Sequence, residues 1–230
     1  MLLRFLASFT LLIACACAQA MEFQRVGSTL VMSGPVVGDD LARLKDHLAD
    51  GDIRLVVLHD SPGGDLWNGQ QLAHLIRASG LDTTVAGSCE SSCGLIFLGG
   101  VRRSYSDGDA LGRTKVGLHG AVHALSRQAM PELGARMAHL ISSMTGGRYP
   151  AALLQRTVYP SHPDNFVYAY HPDMFPQDGV RRGVFECVKQ SPRGFKCDMQ
   201  DGLDAVAIGL VTETEVLALP PEVKVLLHVR

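Results

Sequence analysis

The chain has 230 residues, 21 lysines and arginines against 23 aspartates and glutamates, and a formal net charge of −2 at pH 7. This length suits one domain or two small ones. A composition that is 47% hydrophobic and 19% charged can bury a core, which argues against a chain that is disordered by composition. The lack of a basic excess argues against a protein that binds nucleic acid through its phosphates.

The first 20 residues predict a secretory signal peptide. Arg4 supplies a positive charge, residues 5–13 form a short apolar run, and Ala18-Gln19-Ala20 is a cleavage site of the A-x-A type. The run is shorter than the roughly 20 residues that span a bilayer, so the mature chain is expected in the periplasm or outside the cell. One alternative stays open, because residues 12–15 resemble a lipobox, in which Cys15 would be lipidated and would attach the protein to a membrane.

Strand and helix patterns alternate along the chain after the signal peptide. Short apolar or β-branched runs predict strands, and apolar residues at helical spacing predict helices. The predicted elements, in chain order, are a strand at 28–37, a helix from Asp39 or Asp40 with Leu41, Leu44 and Leu48 on one face, a strand at 54–59, a helix at 66–79, a strand at 83–86, an apolar helix at 94–98, a strand at 116–118 and a helix at 130–144.

This order predicts an α/β fold with a largely parallel sheet, because parallel strands are joined by helical crossovers. No repeat and no Pro/Ser-rich linker divides the sequence, so residues 21–230 are expected to form one domain. Residues 184–198 predict a hairpin near the C-terminus, with its turn at 191–194. Residues 145–183 show no firm pattern of either kind.

Four cysteines remain after cleavage at Ala20, namely Cys89, Cys93, Cys187 and Cys197. An even number in an exported chain indicates disulfides. Of the three pairings, the most economical joins Cys89 to Cys93 and Cys187 to Cys197, with the second bond across the predicted hairpin. Two buried thiols at 187 and 197 are the alternative. A zinc site is disfavoured, because the C-x3-C pair has no second pair at ligand spacing.

Two loops follow predicted strands, at the end of the sheet where open α/β folds place their sites. The first (HDSPGGD, residues 59–65) can present backbone N–H groups to an anion, although ordinary turn chemistry explains the same residues. The second (GSCESSCG, residues 87–94) places serines at the start of a helix, where they suit either a nucleophile or a simple helix cap.

Read together, the two loops resemble a known family. The segments RLVVLHDSPGG at 54–64, TTVAGSCESSCGLIFLGG at 83–100 and VGLHG at 116–120 are similar to the proteolytic subunit of the Clp protease and its crotonase-like relatives. More specifically, they resemble an exported, cysteine-containing branch of that superfamily. The resemblance runs from about Ser28 to about Gly179, and it implies a ClpP/crotonase-like spiral of βαβ units.

The resemblance implies that both loops contribute to one site. In the family, the glycine amides of an N-S-P-G-G turn form an oxyanion hole, and Gly63 and Gly64 match those glycines, with Asp60 where the family has asparagine. The glycines that flank Ser91 keep the spacing of the family's nucleophile loop. Ser91 is therefore the expected nucleophile, and Ser92 is expected to offer a further N–H to the oxyanion.

The same resemblance implies a base and an orienting residue. His119 lies 28 residues after Ser91 in VGLHG and would accept the serine proton. Asp164, in HPDNF at 162–166, matches the family's aspartate loop and would orient the histidine. Asp173 and Asp178 are the alternatives for this third position.

The function implied is an exported serine hydrolase, a peptidase that acts on peptide or protein substrates with neither a cofactor nor a metal. An exported protein meets neither ATP nor an unfoldase, so no ATPase partner is expected. Family members form trimers or rings, and a homo-oligomer is therefore compatible with the resemblance.

Two departures from the family favour an alternative, a catalytically inactive binding or scaffold protein of the cell envelope. Cys89 and Cys93 flank Ser91, and a bond between them could rigidify the nucleophile loop or hold it in an inactive shape. Glu90 precedes Ser91, and a carboxylate there would oppose an oxyanion. A CoA-ester enzyme is less favoured, because an exported protein has little access to CoA and the sequence shows no basic cluster for its phosphates.

Overall fold

The structure, a computed structural model, describes residues 20–123, 125–175, 182–191 and 194–228. The predicted signal peptide up to residue 19, the alternative lipidation site Cys15 and the alternative triad member Asp178 lie outside these residues. Within the described ranges, no helix has both the length and the apolar character needed to cross a membrane.

The elements that the structure describes, in chain order, are β1 (Glu22–Val26), β2 (Thr29–Ser33), α1 (Asp40–Ala49), β3 (Leu55–Ser61), α2 (Leu66–Ala78), β4 (Asp82–Glu90), α3 (Ser92–Leu98), β5 (Arg103–Tyr105), β6 (Lys115–Leu118), α4 (Gly134–Met144), α5 (Ala151–Val158), β7 (Phe166–Tyr170), β8 (Val184–Ser191), β9 (Gly194–Met199) and α6 (Pro221–His228), with short 3-10 helices at Pro131–Leu133 and Pro172–Met174.

The strands form one mixed sheet in the order β1-β2-β3-β4-β6-β7-β8-β9, with β5 beside the first half of β4. The pairs among β2, β3, β4, β5 and β6 are parallel, whereas β1 and the strands β7, β8 and β9 are added antiparallel at the two sides. The predicted α/β class with a parallel central sheet is therefore confirmed. The antiparallel strands on both sides are not foreseen from the sequence.

The register of β3, β4 and β6 brings three loops together. Ser61 of β3 pairs with Cys89 of β4, and Glu90 of β4 pairs with Gly117 of β6. Since parallel strands end at the same edge of a sheet, the turn after β3, the loop after β4 and the residue that follows β6 meet there.

Helix α3, which follows the second loop, is buried along its whole length and packs Phe97 into the core. Its C-terminal end is held by Arg77 of α2, whose guanidinium donates to the carbonyl oxygens of residues 98–100 at 2.8 to 2.9 Å. A positive charge is favourable at this end of a helix, where carbonyl groups are left without intrahelical partners. The helix is therefore fixed at the end opposite the site.

A second arginine ties the C-terminal part of the chain to the sheet. Arg103 of β5 is only 3% exposed, and its guanidinium donates to the carbonyl oxygens of Gly100, Gly209 and Leu210 at 2.8 to 2.9 Å. Residues 203–219 contain no regular element, so these bonds and the burial of Ile208 and Leu210 hold them in place.

Several elements differ from the sequence-based expectation. The apolar patterns do not predict β1, β5, α5, β7 or α6, because these elements are three to eight residues long and show little periodicity. The helix predicted at 130–144 begins later, since Pro131 opens a 3-10 turn and α4 starts at Gly134. Met130, the first residue of the predicted helix, therefore precedes the observed one.

Candidate active site

Ser91 occupies a sharp turn between β4 and α3. Its backbone has φ 59° and ψ −125°, a conformation that costs a non-glycine residue of the order of 1–3 kcal/mol. Its N–H donates to the carbonyl oxygen of Gly117 at 2.8 Å, which anchors the turn to β6. Strained strand-to-helix turns of this kind present nucleophilic serines at sheet edges in hydrolases.

The Oγ of Ser91 lies 2.7 Å from Nε2 of His119, which directly follows β6. The imidazole is buried and packs on the ring of Phe166 with a centroid distance of 4.3 Å. Burial, together with the positive charge of Arg127, lowers the pKa of His119 to about 4. The ring is therefore neutral at neutral pH, and its Nε2 can accept the serine proton.

The other ring nitrogen, Nδ1, is buried and makes no direct hydrogen bond to any carboxylate among the described residues. The backbone carbonyl of Pro163 and the charge of Asp164 both act to raise the pKa of His119. The carboxylate of Asp164 accepts a hydrogen bond from Arg127 at 2.6 Å, and this guanidinium holds the pKa of Asp164 below its usual range. The predicted orienting residue thus acts on the histidine through its charge, while its own hydrogen bond goes to Arg127.

Asp173, the alternative residue for orienting His119, contacts a different histidine. Its backbone N–H donates to Nδ1 of His171 at 3.2 Å, and its exposed carboxylate lies 3.9 Å from the same nitrogen. The structure therefore pairs Asp173 with His171 and does not bring its carboxylate to the histidine beside Ser91.

The glycine turn after β3 packs directly against Ser91, the predicted nucleophile. Gly63 has φ +81°, and a Cβ at this position would lie 2.6 Å from the Cβ of Ser91, so that only glycine fits without displacing the serine. The N–H groups of Gly64 and Ser92 donate to no acceptor within the described part of the chain, and both residues line the groove beside Ser91. The N–H of Gly63 instead approaches Oγ of Ser61 at 3.3 Å.

Asp60 joins the two loops. Its backbone φ of 40° is unusual for a non-glycine residue, and its Oδ1 accepts a hydrogen bond from the N–H of Ser88 at 2.9 Å. An asparagine could accept the same bond through its side-chain oxygen. Asp60 therefore holds the glycine turn beside the loop that carries Ser91, and an asparagine at this position could make the same contact.

His59, Asp60 and Asp109 bring donor atoms within 4.8 Å of one another, the one group in the described ranges compact enough to share a metal ion. Arg113 approaches Asp109 at 3.2 Å and Asp60 at 4.0 Å, and its charge opposes a cation at this point. The cluster lines a separate cavity of about 340 Å³ that does not include Ser91.

Two disulfides join Cys89 to Cys93 and Cys187 to Cys197, the local pairs that the sequence favours. The first links β4 to the first turn of α3 across Ser91, and both of its cysteines are completely buried. The second links β8 to β9. The turn that carries Ser91 is therefore closed by a covalent bond between residues on either side of the serine.

Glu90 does not place an uncompensated charge beside Ser91. Its carboxylate lies 3.0 Å from Nζ of Lys115, and that ammonium group also sits 4.2 Å from the centroid of the Tyr168 ring. Because Lys115 balances the carboxylate, the sequence-based expectation that Glu90 opposes an oxyanion loses its main support.

The Ser91–His119 pair opens into a groove of about 930 Å³. The glycine turn and Ser92 form its polar side. Charged or titratable side chains also line the groove, namely Asp65, Glu90, His123 and Arg127. Apolar residues from separate parts of the chain make up the larger share of the lining, namely Val36, Val37, Leu66, Ala121, Val122, Met130, Met137 and Phe166. The sequence does not single out these side chains, because apolar residues in loops and short elements look the same whether they line a groove or a core.

The described residues thus form an α/β protein in which a serine at a strand-to-helix turn is hydrogen-bonded to a buried, neutral histidine. Backbone N–H groups without acceptors lie beside the serine. This combination defines a candidate serine-hydrolase site.

No protein-family model matches the chain, and no curated protein matches it. Among solved structures, it matches a serine-to-alanine mutant of the 1510-N membrane-bound stomatin-specific protease with 14% identity and a TM-score of 0.43, over 56% of this chain and 67% of that one. A lysine-to-alanine mutant of 1510-N in complex with a substrate peptide gives 15% identity and a TM-score of 0.43, over 56% of this chain and 64% of that one. The match therefore spans about two thirds of the length of these proteins.

Proposed function

We propose that this chain is a serine peptidase of the ClpP/crotonase-like fold that acts without ATP in an oxidising compartment outside the cytoplasm. The observation that carries the proposal is the 2.7 Å contact between Oγ of Ser91 and Nε2 of His119 at a strained strand-to-helix turn. Nucleophile and base are thus already within hydrogen-bond reach.

In the proposed reaction, Oγ of Ser91 attacks the carbonyl carbon of the scissile bond while Nε2 of His119 takes the serine proton. The negative charge on the carbonyl oxygen is stabilised by the N–H groups of Gly64 and Ser92. The protonated histidine gives its proton to the leaving amine, and the acyl-enzyme that remains is hydrolysed by water with the same histidine as base.

Asp164 is proposed to support this cycle by its charge. The imidazolium formed during the attack is buried beside Arg127, which disfavours it, and both Asp164 and the carbonyl of Pro163 favour it. Nδ1 of His119 has no hydrogen-bond partner among the described residues, so Asp164 is proposed to act by offsetting the charge of Arg127, to which it is bonded.

The substrate class follows from the groove and the compartment. Two disulfides fit an oxidising environment, and the predicted signal peptide agrees with it. The groove is open and largely apolar, so the proposed substrates are extended peptides or accessible protein segments with apolar side chains.

A fluorophosphonate probe, which reacts with activated serines, tests the proposal directly. The unmodified chain is expected to be labelled, Ser91→Ala is expected to lose all labelling, and Ser88→Ala is the matched control, since it removes a serine from the same loop outside the Ser91–His119 contact. Persistent labelling of Ser91→Ala, or no labelling of the unmodified chain, would contradict the nucleophile assignment.

A peptide-binding protein without catalysis is the second candidate. It is favoured by one observation, that Nδ1 of His119 has no direct carboxylate partner in the described structure. Two results together would support this alternative. The chain would not react with the probe, and it would bind extended apolar peptides with an affinity that Ser91→Ala leaves unchanged.

A further inference from the structure

Strand β9 is the last strand of the sheet, and no described residue pairs with its outer edge. The N–H of Gln200 donates to the carbonyl oxygen of Val184 at 2.8 Å, in the same register that pairs Cys197 with Cys187. In an antiparallel ladder, residues bonded to the neighbouring strand alternate with residues whose N–H and C=O point away from it. This bond therefore fixes which residues of β9 face outward.

The alternation assigns the backbone groups of Lys196 and Asp198 to the ladder with β8. The backbone groups of Phe195, Cys197 and Met199 consequently point to the open edge. The strand is exposed over residues 195–198, and the Cys187–Cys197 disulfide ties it to β8. An extended, unpaired edge of this kind is a template for another strand.

We propose that β9 pairs antiparallel with β9 of a second copy of this chain, about a two-fold axis at Cys197. In this register Cys197 faces the partner's Cys197, and Phe195 faces the partner's Met199, so all three outward residues exchange backbone hydrogen bonds. Lys196 then lies opposite the partner's Asp198, and the symmetry repeats this ion pair on the other side of the axis. The proposal does not depend on the proposed function.

The charges also select this register against its neighbours. An axis at Lys196 would place two ammonium groups opposite each other, and an axis at Asp198 would oppose two carboxylates. Like charges directly opposite in a sheet are destabilising, whereas opposite charges contribute favourably. Lys196 and Asp198 contact each other at 2.8 Å within the strand. Their side chains are 65% and 58% exposed, so each can also reach the opposite charge on a partner strand.

A pairing of two six-residue strands buries less surface than a standard protein interface. The dimer is therefore reversible, and its fraction rises with concentration.

Sedimentation equilibrium across micromolar to submillimolar concentrations tests the pairing. The unmodified chain, with its disulfides intact, is expected to approach twice the monomer mass. Lys196→Asp or Asp198→Lys places like charges in the favoured register, and each variant alone is expected to stay monomeric. An equimolar mixture of the two variants restores opposite charges at every position and is expected to dimerise again, as is the double variant that exchanges the two residues.

Arg54→Asp is the matched control, because Arg54 forms a similarly exposed ion pair with Asp52 two residues away. It is expected to leave the dimer unchanged. Hydrogen exchange supplies a readout of register, since the amides of Phe195, Cys197 and Met199 should exchange more slowly as concentration rises. A monomer at all concentrations, a dimer insensitive to both charge reversals, or exchange at these three amides that does not depend on concentration would each overturn the proposal.

Discussion

His119 shows how burial sets the chemistry of a single side chain. An ordinary histidine is largely protonated below pH 6.5, and a protonated ring cannot accept the serine proton. Because burial and Arg127 lower the pKa of His119 to about 4, the imidazole stays neutral well into the acid range, as its proposed role as base requires.

The rate constant for labelling by fluorophosphonate should therefore fall on the acid side of its pH profile. We expect this acid limb near pH 4 instead of near pH 6.5. The rate constant of labelling should be level above this limb and fall as His119 takes up a proton. Measurement of that rate from pH 3 to 8 checks the position. A limb near the ordinary histidine value of about 6.5 would contradict the buried, neutral base.

Two substitutions next to the histidine should move this limb in opposite directions. Arg127→Gln removes a positive charge that lowers the pKa of His119, so the limb should move to higher pH. Asp164→Asn removes a negative charge that raises the same pKa, so the limb should move to lower pH. If the acid limb moved in the same direction in both variants, a change in the conformation of the site, and not the change in charge, would account for the shift.

The same shift has a consequence for folding. The unfolded chain binds a proton at this histidine below about pH 6.5, whereas the folded chain does so only near pH 4. The stability that the neutral ring contributes is therefore complete above pH 6.5 and is lost as pH falls toward 4.

At the scale of elements, the position of Ser91 depends on the contact between the glycine turn after β3 and the turn between β4 and α3. A Cβ at Gly63 would lie 2.6 Å from the Cβ of Ser91, so Gly63→Ala must displace the nucleophile or the oxyanion turn. We expect the labelling rate to fall roughly 100-fold, the scale of losing an oxyanion donor, because the added methyl group also crowds the N–H of Ser92, a proposed donor.

Gly80→Ala is the control for that substitution. Gly80 also has a positive φ, of +67°, but nothing lies within 4 Å of a Cβ there. This variant should lose about 1 kcal/mol of stability and keep the labelling rate. If both variants behave alike, backbone strain and not contact with Ser91 accounts for the result.

The Cys89–Cys93 disulfide is expected to hold the strained turn in its reactive shape. Closing so short a loop is worth about 2 kcal/mol, comparable to the strain at Ser91. The double variant Cys89→Ala/Cys93→Ala should therefore fold but label roughly 10- to 30-fold more slowly. Cys187→Ala/Cys197→Ala, which removes a disulfide outside the groove, should leave the rate unchanged. An unaltered rate in the first variant would assign its disulfide to stability alone.

At the scale of elements, the sequence predicts the two loops and the central strands well, because glycine turns and apolar runs are local signals. It does not predict the partner of Asp164, since Arg127 lies 37 residues away along the chain and reaches it only through the fold. Nor does it predict α5 or β7, whose short patterns lack a clear period. Phe166 is found near the site only because β7 pairs with β6.

Across the whole molecule, Arg103 joins regions that are far apart in the sequence. Its buried guanidinium satisfies three carbonyl oxygens, two of them more than 100 residues away. Arg103→Met should leave the carbonyl oxygens of Gly209 and Leu210 without donors, whereas Gly100 keeps its bond from Arg77. The free energy of unfolding should therefore fall by at least about 2 kcal/mol. Urea denaturation with intact disulfides measures this loss.

The neighbouring residue provides the comparison. Arg102 is 70% exposed and pairs with Asp82, so Arg102→Met should change the free energy of unfolding by less than about 1 kcal/mol. Similar losses in the two variants would show that residues 203–219 are held to the sheet by other contacts.

The spacing of the disulfides bears on how the native state is reached. Each bond joins cysteines close in sequence, four residues apart in one case and ten in the other. Under the proposed export, a chain delivered N-terminus first would expose Cys89 and Cys93 before Cys187 emerges. Pairing in order of appearance would then give both observed bonds, so we expect maturation to need an oxidant but no disulfide isomerase.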